Sequence, residues 1–319
     1  MSKDLEVYLK KIGVEYKAIA PLSLKEKIAY LNTIYYAHLK THPYHNFDLR
    51  EIAQQHPLVR KGLTLFDYKK LLTHQNGGYC FQSSRLLYST LLELGYSVHC
   101  CESRVLNGKK ANSLVVKKMP ATHIILTVTI NESSYFLDPA MGSCSSRMPI
   151  LIKERDEIIH EQAAERFKLS FDQDQYILYK WQLNQWISVS QSNLLPVADK
   201  LLMFNLLKLS YHPDLAIRDM KVVVAQITDE GSKTLFWDAL SQKLSFITEC
   251  CGQYKKLPLP SYEQAYSLLI NAFNITHISI ADFEGYCSIL PQVGPKQAWT
   301  VDLPLDSKEL QKLALNLSL

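Results

Sequence analysis

Cys80, His123 and Asp138 are residues of the types that together perform nucleophilic catalysis. Cys80 lies two residues after Gly78, at the end of a Gly77-Gly78 turn, and precedes a stretch with apolar residues three to four apart, which predicts a helix. The unpaired N–H groups and the dipole at the start of a helix favour negative charge, so a thiol placed there is favoured as the thiolate. Cys80 is therefore the best candidate nucleophile in the chain.

A thiolate nucleophile needs a base, and the base needs a group that orients it. His123 opens the β-rich stretch THIILTVTI, and Asp138 ends the next strand-like stretch, YFLD, after a turn over residues 131–134. A strand, a turn and a returning strand bring both side chains to the same end of a hairpin. We therefore predict that Asp138 hydrogen-bonds His123 and stabilises its imidazolium, and that Cys80 meets the pair through a tertiary contact.

The same residues also have ordinary structural roles. A chain with 7 cysteines and 10 histidines contains a Cys–His–Asp order by chance. A histidine in a strand is commonly a core residue, and a carboxylate at a strand end commonly forms a turn. The glycine turn before Cys80 and the tight turn over residues 139–142 after Asp138 nevertheless favour the chemical interpretation.

The elements that must position these residues change character near residue 96. Before it, helical patterns prevail, with a capping box at Ser23–Glu26 and a further helical segment near Leu65–Leu72. After it, several short β-rich stretches follow one another without helices, which indicates an antiparallel sheet or barrel. Asn107-Gly108 predicts a hairpin whose second strand is Ser113–Val116. Tyr176–Ser190 predicts one or two more strands.

The last third returns to mixed patterns, with strand-like Met220–Thr228 and Leu244–Glu249 and an amphipathic helix over Ser261–Phe273. The predicted fold class is α+β, built around a catalytic core like that of cysteine proteases. A helical N-terminal domain (1–97) carries the cysteine, an antiparallel β-barrel domain (98–210) carries the histidine and aspartate, and an α/β C-terminal lid domain spans 211–319. Trp181 and Trp186, five positions apart, are predicted to face opposite sides if their strand is continuous.

Composition excludes several other classes of protein. Of the 319 residues, 47% are hydrophobic and 21% charged, and the net charge is +4, as in an ordinary soluble globular protein. No dense Lys/Arg run and no apolar run near the ~18 residues of a membrane span occur, so we expect neither nucleic acid nor membrane as a partner.

The N-terminal segment lacks a signal-peptide pattern, and the odd cysteine count favours reduced thiols, so the protein is expected to be cytoplasmic. No C-x-x-C or H-E-x-x-H pattern predicts a metal.

The segments named above resemble arylamine N-acetyltransferases. That family carries an Arg-Gly-Gly-aromatic-Cys-Phe-Glu motif, which Asn76–Gln82 matches except for its first and last residues. A histidine that opens a strand is matched by His123, and an Asp-Val-Gly-Phe-Gly motif is loosely matched by Asp138–Gly142. A Pro-Phe-Glu-Asn motif corresponds to Pro43–Asn46. The likeness runs from about residue 5 to residue 142 and continues weakly to the helix near Ser261.

The resemblance implies a ping-pong transfer of an acetyl or other acyl group from acetyl-CoA to an aromatic amine or hydrazine. Cys80 would carry the acyl group as a thioester, and His123 would act as the base. No metal is implied, and the partners are the acyl-CoA and the amine acceptor; the oligomeric state is left open. Thr122, Gly142 and Ser143 are the implied cofactor contacts. Phe81 and Met141 are the implied substrate-pocket residues, and Phe81 could equally pack in the core.

The chain departs from the family pattern at several positions. Asn76 and His45 stand where the family has an Arg and a Glu that brace the active-site loop, and we predict that these two residues lie in hydrogen-bonding range of each other. Pro139, Ala140 and Met141 also differ and lie where the resemblance places acceptor recognition. Two other functions therefore stay open. One is a cysteine hydrolase of the papain or transglutaminase type, which uses the same three residue types. The other is a relative that kept the fold and became a binding protein.

Overall fold

The N-terminal region is helical. The computed structural model describes residues 1–55, 62–153, 158–162, 164–212, 215–250 and 253–289. The first elements are α1 (Lys3–Ile12), α2 (Leu24–Thr41), the short strand β1 (Tyr44–His45), α3 (Phe47–Gln54), α4 (Lys70–Thr73) and α5 (Cys80–Leu94). The predicted capping box of α2 is confirmed, because Ser23 and Glu26 each bond the other's backbone N–H. The segment near Leu65–Leu72 is a 3-10 turn that runs into α4.

Antiparallel strands form the middle of the chain. They are β2 (Ser97–Val105), β3 (His123–Ile130), β4 (Ser133–Leu137), β5 (Ile150–Leu151), β6 (Ile159–Gln162), β7 (Glu165–Asp172), β8 (Gln175–Gln182) and β9 (Gln185–Ser192). Within the described ranges they form an eight-stranded sheet in the order β5-β4-β3-β2-β9-β8-β7-β6. The Gln162 side-chain oxygen accepts from the backbone N–H groups of Arg147 (2.6 Å) and Met148 (2.9 Å), just before β5. The two edges therefore approach each other, and the sheet is a nearly closed barrel, as predicted.

The predicted hairpin partner at Ser113–Val116 is wrong. Asn107 and Gly108 do form a turn, with φ values of 49° and 80°. However, the Ser113 hydroxyl accepts from the Val116 N–H and caps a short helix, α6 (Leu114–Lys118). The end of β2 pairs with β9 instead, at Arg104 opposite Gln191. An N-cap residue thus outweighed the local hairpin signal.

The condition for Trp181 and Trp186 to face opposite sides is not met, because Tyr176–Ser190 forms two strands, the second of the alternatives predicted. Leu183 and Asn184 have φ values of 49° and 62° and form the tight turn between β8 and β9. Trp181 lies directly opposite Trp186 across this hairpin, and their ring centroids are 5.3 Å apart. The two rings therefore lie on the same face of the sheet.

The last region is α/β, as predicted. Its elements are α7 (Asp199–Tyr211), α8 (Ala216–Asp219), β10 (Lys221–Ile227), β11 (Gly231–Asp238), β12 (Lys243–Cys250), β13 (Gln253–Leu259), α9 (Tyr262–Asn271) and α10 (Ile280–Ser288). The sheet order is β1-β10-β11-β12-β13, so a strand from the helical region contributes to it. The predicted domain boundaries stay predictions, and residues 290–319 of the third one lie outside the described residues.

The largest buried core joins the helical region to the barrel. Leu87 and Leu91 of α5 and Ile124 and Leu126 of β3 are fully buried in one cluster. This packing fixes the start of α5 close to the start of β3. No helix in the described ranges combines the length and the apolar character needed to cross a bilayer.

Candidate active site

Cys80 is the first residue of α5 and is 7% exposed. Gly77, in the turn before it, has φ = 79°, and a Cβ at this position would lie 2.0 Å from the Pro43 carbonyl oxygen. Only glycine fits this close approach. The Gly78 N–H donates to the Pro43 carbonyl (3.1 Å), and the His45 N–H donates to the Gly78 carbonyl (3.1 Å). The segment around Pro43 thus holds the turn that presents the thiol.

His123 and Asp138 are brought together by the hairpin of β3 and β4, as predicted. His123 opens β3, Asp138 directly follows β4, and Leu126 opposite Leu137 sets the register. The His123 Nε2 lies 2.9 Å and 3.0 Å from the two Asp138 carboxylate oxygens. Both side chains are buried, and the Asp138 N–H donates to the Tyr35 hydroxyl at 3.2 Å. Tyr35, which the sequence analysis did not identify, thereby helps to hold the acid in place.

The surroundings of His123 favour its protonated, positively charged form. Burial alone would lower its pKa, but the Asp138 carboxylate and hydrogen bonds to Asp138 and Cys80 raise it to about 10. Since Asp138 takes Nε2, the other ring nitrogen is left for Cys80. The Cys80 sulfur also lies 3.7 Å from the Thr122 carbonyl oxygen. The arrangement can hold a thiolate beside an imidazolium.

The predicted cofactor residues lie around these groups. Thr122 directly precedes His123 and is partly exposed. Gly142 and Ser143 belong to a 3-10 turn four residues after Asp138, and Gly142 has φ = 61°. Their contact with a cofactor stays a prediction.

Of the two predicted pocket residues, only Met141 is partly exposed. Its backbone N–H donates to the Ser145 hydroxyl at 3.0 Å. The Phe81 ring is 1% exposed and packs in the largest core beside Tyr79. This placement favours the packing role over contact with a substrate.

The side chains of Asn76 and His45 do not bond each other, although the His45 ring lies within reach of the Asn76 backbone. The Asn76 amide donates to the Asn274 carbonyl at 2.9 Å, beyond the end of α9. The His45 ring lies beside the backbone of Asn76 and Gly77 and packs 4.8 Å from the Phe47 ring and 5.5 Å from the His277 ring. The Asn76 amide is satisfied by a backbone carbonyl, so it does not need the His45 ring as a partner.

A buried ion cluster, which the sequence analysis also missed, lies next to the Ser143 turn. Its members are Arg147, Glu165, Lys180 and Glu249. The Lys180 ammonium lies 2.6 Å from Glu165, 2.9 Å from Glu249 and 2.8 Å from the Ser143 carbonyl oxygen. Arg147 lies 2.6 Å from Glu165. The sequence did contain one signal for this cluster. Side chains alternate between the two faces of a strand, so Lys180, two positions after the buried Leu178 of β8, must also face the interior.

Neutral, buried histidines surround the segment that holds the Cys80 turn. His38 contacts the Tyr8 hydroxyl (2.9 Å) and the Ser83 hydroxyl (2.8 Å), and burial lowers its pKa to about 3. Burial likewise lowers the pKa of His42 well below its usual value and that of His45 to about 4. Lowering the pH is therefore expected to destabilise this region of the fold.

We expect the protein to be most stable near pH 6.5 to 7. An unfolded histidine has a pKa of about 6.5, whereas the folded His38 and His45 stay neutral to a lower pH. Below pH 6.5 the unfolded chain therefore binds protons that the folded chain does not, which lowers the free energy of unfolding. At pH 5 each should cost about 2 kcal/mol of the unfolding free energy. His123 acts in the opposite direction: its stabilisation is fully present below pH 6.5 and is lost as pH rises towards about 10. Urea unfolding midpoints measured from pH 5 to pH 9 test both the expected loss of stability at acid pH and the expected loss at alkaline pH.

The matched variants for this prediction are His38→Gln and His99→Gln. His38→Gln should flatten the acid limb, whereas replacing the exposed His99 should leave it unchanged. Equal acid limbs in the wild type and His38→Gln would contradict the explanation.

No group of three or more His, Cys, Asp or Glu side chains in the described part of the chain is placed to hold a metal ion. The cysteines described there are free thiols. Cys251 lies outside the described residues.

Comparison with known proteins gives concordant matches. A family model described as N-acetyltransferase matches residues 27–279. An arylamine N-acetyltransferase of Mycolicibacterium smegmatis is 25% identical over 195 residues, which are 58% of this chain and 63% of that protein. An N-malonyltransferase of Gibberella moniliformis is 30% identical over 92 residues, which are 27% of each protein. The chain thus spans only 27% to 63% of the length of these curated relatives.

Solved structures share the fold over nearly the whole molecule. The arylamine N-acetyltransferase of Salmonella typhimurium aligns with a TM-score of 0.73 at 18% identity and covers 90% of this chain and 98% of its own. That of Mycobacterium marinum, solved in complex with CoA, aligns with a TM-score of 0.73 at 20% identity and covers 90% and 99%. The predicted fold class is confirmed. Because the family model runs from α2 through the hairpin of His123 and Asp138 and past the last sheet to residue 279, just before α10, the chain belongs to the arylamine N-acetyltransferase family.

Proposed function

We propose that this protein transfers an acyl group from an acyl-CoA, acetyl-CoA in the first instance, to the nitrogen of an aromatic amine or hydrazine through a thioester on Cys80. The observation that carries the proposal is the chain of contacts from Asp138 through His123 to Cys80 at the start of α5. Family membership supports the reaction class, and the CoA bound to the Mycobacterium marinum relative supports the donor. The expected cytoplasmic location stays a prediction.

The first half-reaction forms the thioester. The Cys80 thiolate attacks the carbonyl carbon of the acyl-CoA, and the carbonyl electron pair moves to oxygen. When that pair returns, the bond to the CoA sulfur breaks, and the leaving thiolate takes a proton from the His123 imidazolium. The Cys80 backbone N–H, at the first position of α5, has no partner within the helix and is a candidate donor to the oxyanion.

The second half-reaction passes the acyl group to the amine. The amine nitrogen attacks the Cys80 thioester, His123, now neutral, accepts the proton from that nitrogen, and Cys80 leaves as the thiolate. Exchange between two thioesters is nearly balanced in energy, so the enzyme can hold the acyl group until an acceptor arrives. The starting ion pair is restored.

Intact mass after mixing with acetyl-CoA tests the proposal. We expect one acetyl group on the wild type, lost when an arylamine is added, and none on Cys80→Ala. Cys250→Ala is the matched control, since Cys250 is exposed and would be acylated if thiol exposure alone decided. Malonyl-CoA belongs in the donor panel because a relative is an N-malonyltransferase.

Two outcomes would replace the proposal. Cleavage of peptide or amide bonds without an acyl adduct would show a cysteine hydrolase. Neither adduct nor cleavage, with Cys80 alkylated no faster than an ordinary thiol, would show a binding protein.

A further inference from the structure

Tyr44 lies between the two turns that carry the proposed catalytic residues. It pairs with Ala225 of β10 on one side and forms a parallel bridge with Gly78, two residues before Cys80, on the other. A Cβ at Gly142 would lie 3.9 Å from both Cβ and Cδ1 of Tyr44, so the side chain also borders the turn after Asp138. Its ring packs against the core that contains Cys80.

The Tyr44 hydroxyl is available to a substrate. The residue is partly exposed, and its hydroxyl has no hydrogen-bond partner in the described part of the chain. Its two neighbours differ: the Tyr35 hydroxyl accepts from the Asp138 N–H, and the Tyr79 hydroxyl is completely buried. Of these three tyrosines, Tyr44 alone is partly exposed and keeps an unpartnered hydroxyl, so it is the one that a molecule bound at Cys80 could contact.

The electrostatic coupling agrees with this placement. Burial and then the negative charge of a Cys80 thiolate raise the pKa of Tyr44. The hydroxyl therefore keeps its proton at working pH and can donate a hydrogen bond. Negative charge on the Cys80 sulfur interacts electrostatically with the Tyr44 hydroxyl. Negative charge on the oxygen of an acyl group bonded to that sulfur should therefore interact with the hydroxyl as well.

We propose that Tyr44 is a catalytic residue whose hydroxyl donates a hydrogen bond to the acyl oxygen while the thioester on Cys80 forms and breaks. This inference rests on the proposed function. The hydroxyl gives up no proton: the carbonyl electron pair moves to oxygen as the bond to Cys80 forms and returns as the bond to CoA breaks, and Tyr44 stabilises the intermediate charge.

Tyr44→Phe removes the donor and keeps the ring. We expect acylation of Cys80 by acetyl-CoA to slow about 100-fold, in the range found when an oxyanion donor is removed. The KM for acetyl-CoA should stay nearly unchanged, because the bond is made in the transition state. Alkylation of Cys80 by iodoacetamide should keep its rate, since it develops no oxyanion. Tyr254→Phe, at an exposed position of β13, is the control.

The rates of Cys80 acylation and alkylation in Tyr44→Phe separate the possible outcomes. Acylation at the wild-type rate in Tyr44→Phe would overturn the inference and leave the proposed function intact. Equal slowing of acylation and alkylation would also overturn it, because the hydroxyl would then act on the thiolate. No acylation of the wild type at Cys80 would overturn the proposed function and the inference with it.

Discussion

Asp138→Asn is expected to lower the rate of acyl transfer about 10⁴-fold, the loss known for the same change in a comparable triad. An amide can donate to His123 Nε2, which would put the ring proton on the nitrogen facing Cys80 and leave no acceptor there. Without the Asp138 charge, burial becomes the dominant influence and lowers the pKa of His123. The neutral ring could then no longer hold Cys80 as a thiolate.

The rate loss should not come from unfolding. Asparagine has nearly the volume of aspartate, and the bond to the Tyr35 hydroxyl comes from the backbone N–H of residue 138. Single-turnover acylation and iodoacetamide alkylation at pH 7 should therefore both slow, with the circular dichroism spectrum unchanged. The control is Asp172→Asn, at an exposed position on β7. Wild-type rates in Asp138→Asn would show that the carboxylate does not orient the histidine.

The residues of the candidate site could be predicted because each has a local signal. Cys80 lies between a glycine turn and a helical pattern, and His123 and Asp138 lie at the same end of one hairpin, so strand geometry alone brings them together. The capping box at Ser23 was local as well. Local chemistry sufficed wherever neighbours along the chain decide the conformation.

Other features depend on distant contacts and carry no such signal. Strand β1 has two residues and shows no period, and it exists because Tyr44 and His45 pair with β10. Lys180 and Glu249 meet only after the barrel and the last sheet have packed. Ser113 shows the opposite case: the turn at Asn107 and Gly108 forms, but the helix cap at Ser113 replaces the second strand of the predicted hairpin.

Lys180→Met is expected to lower the free energy of unfolding by about 3–5 kcal/mol, as when one member of a buried ion pair is removed. Lys180 is completely buried, and although burial lowers its pKa, the carboxylate of Glu165 and the groups beside it raise the pKa above the usual value, so it is charged. The cluster has two positive and two negative members. Removing Lys180 leaves Arg147 alone against two buried carboxylates, and the Ser143 carbonyl loses its donor.

Two further variants separate this effect from a general loss of charge. Lys40 lies 2.7 Å from Asp229, as close as the pairs in the cluster, but the side chains are 41% and 71% exposed, so Lys40→Met should cost at most about 1 kcal/mol. Adding Glu249→Gln to Lys180→Met restores neutrality and should recover part of the loss, which urea unfolding can measure as a double-mutant cycle. Additive losses, or equal costs at positions 40 and 180, would contradict the prediction.

Because Lys180 bonds the carbonyl of Ser143, its loss should also loosen the turn after Asp138. Acylation of Cys80 should therefore slow in Lys180→Met even under conditions where the variant remains folded.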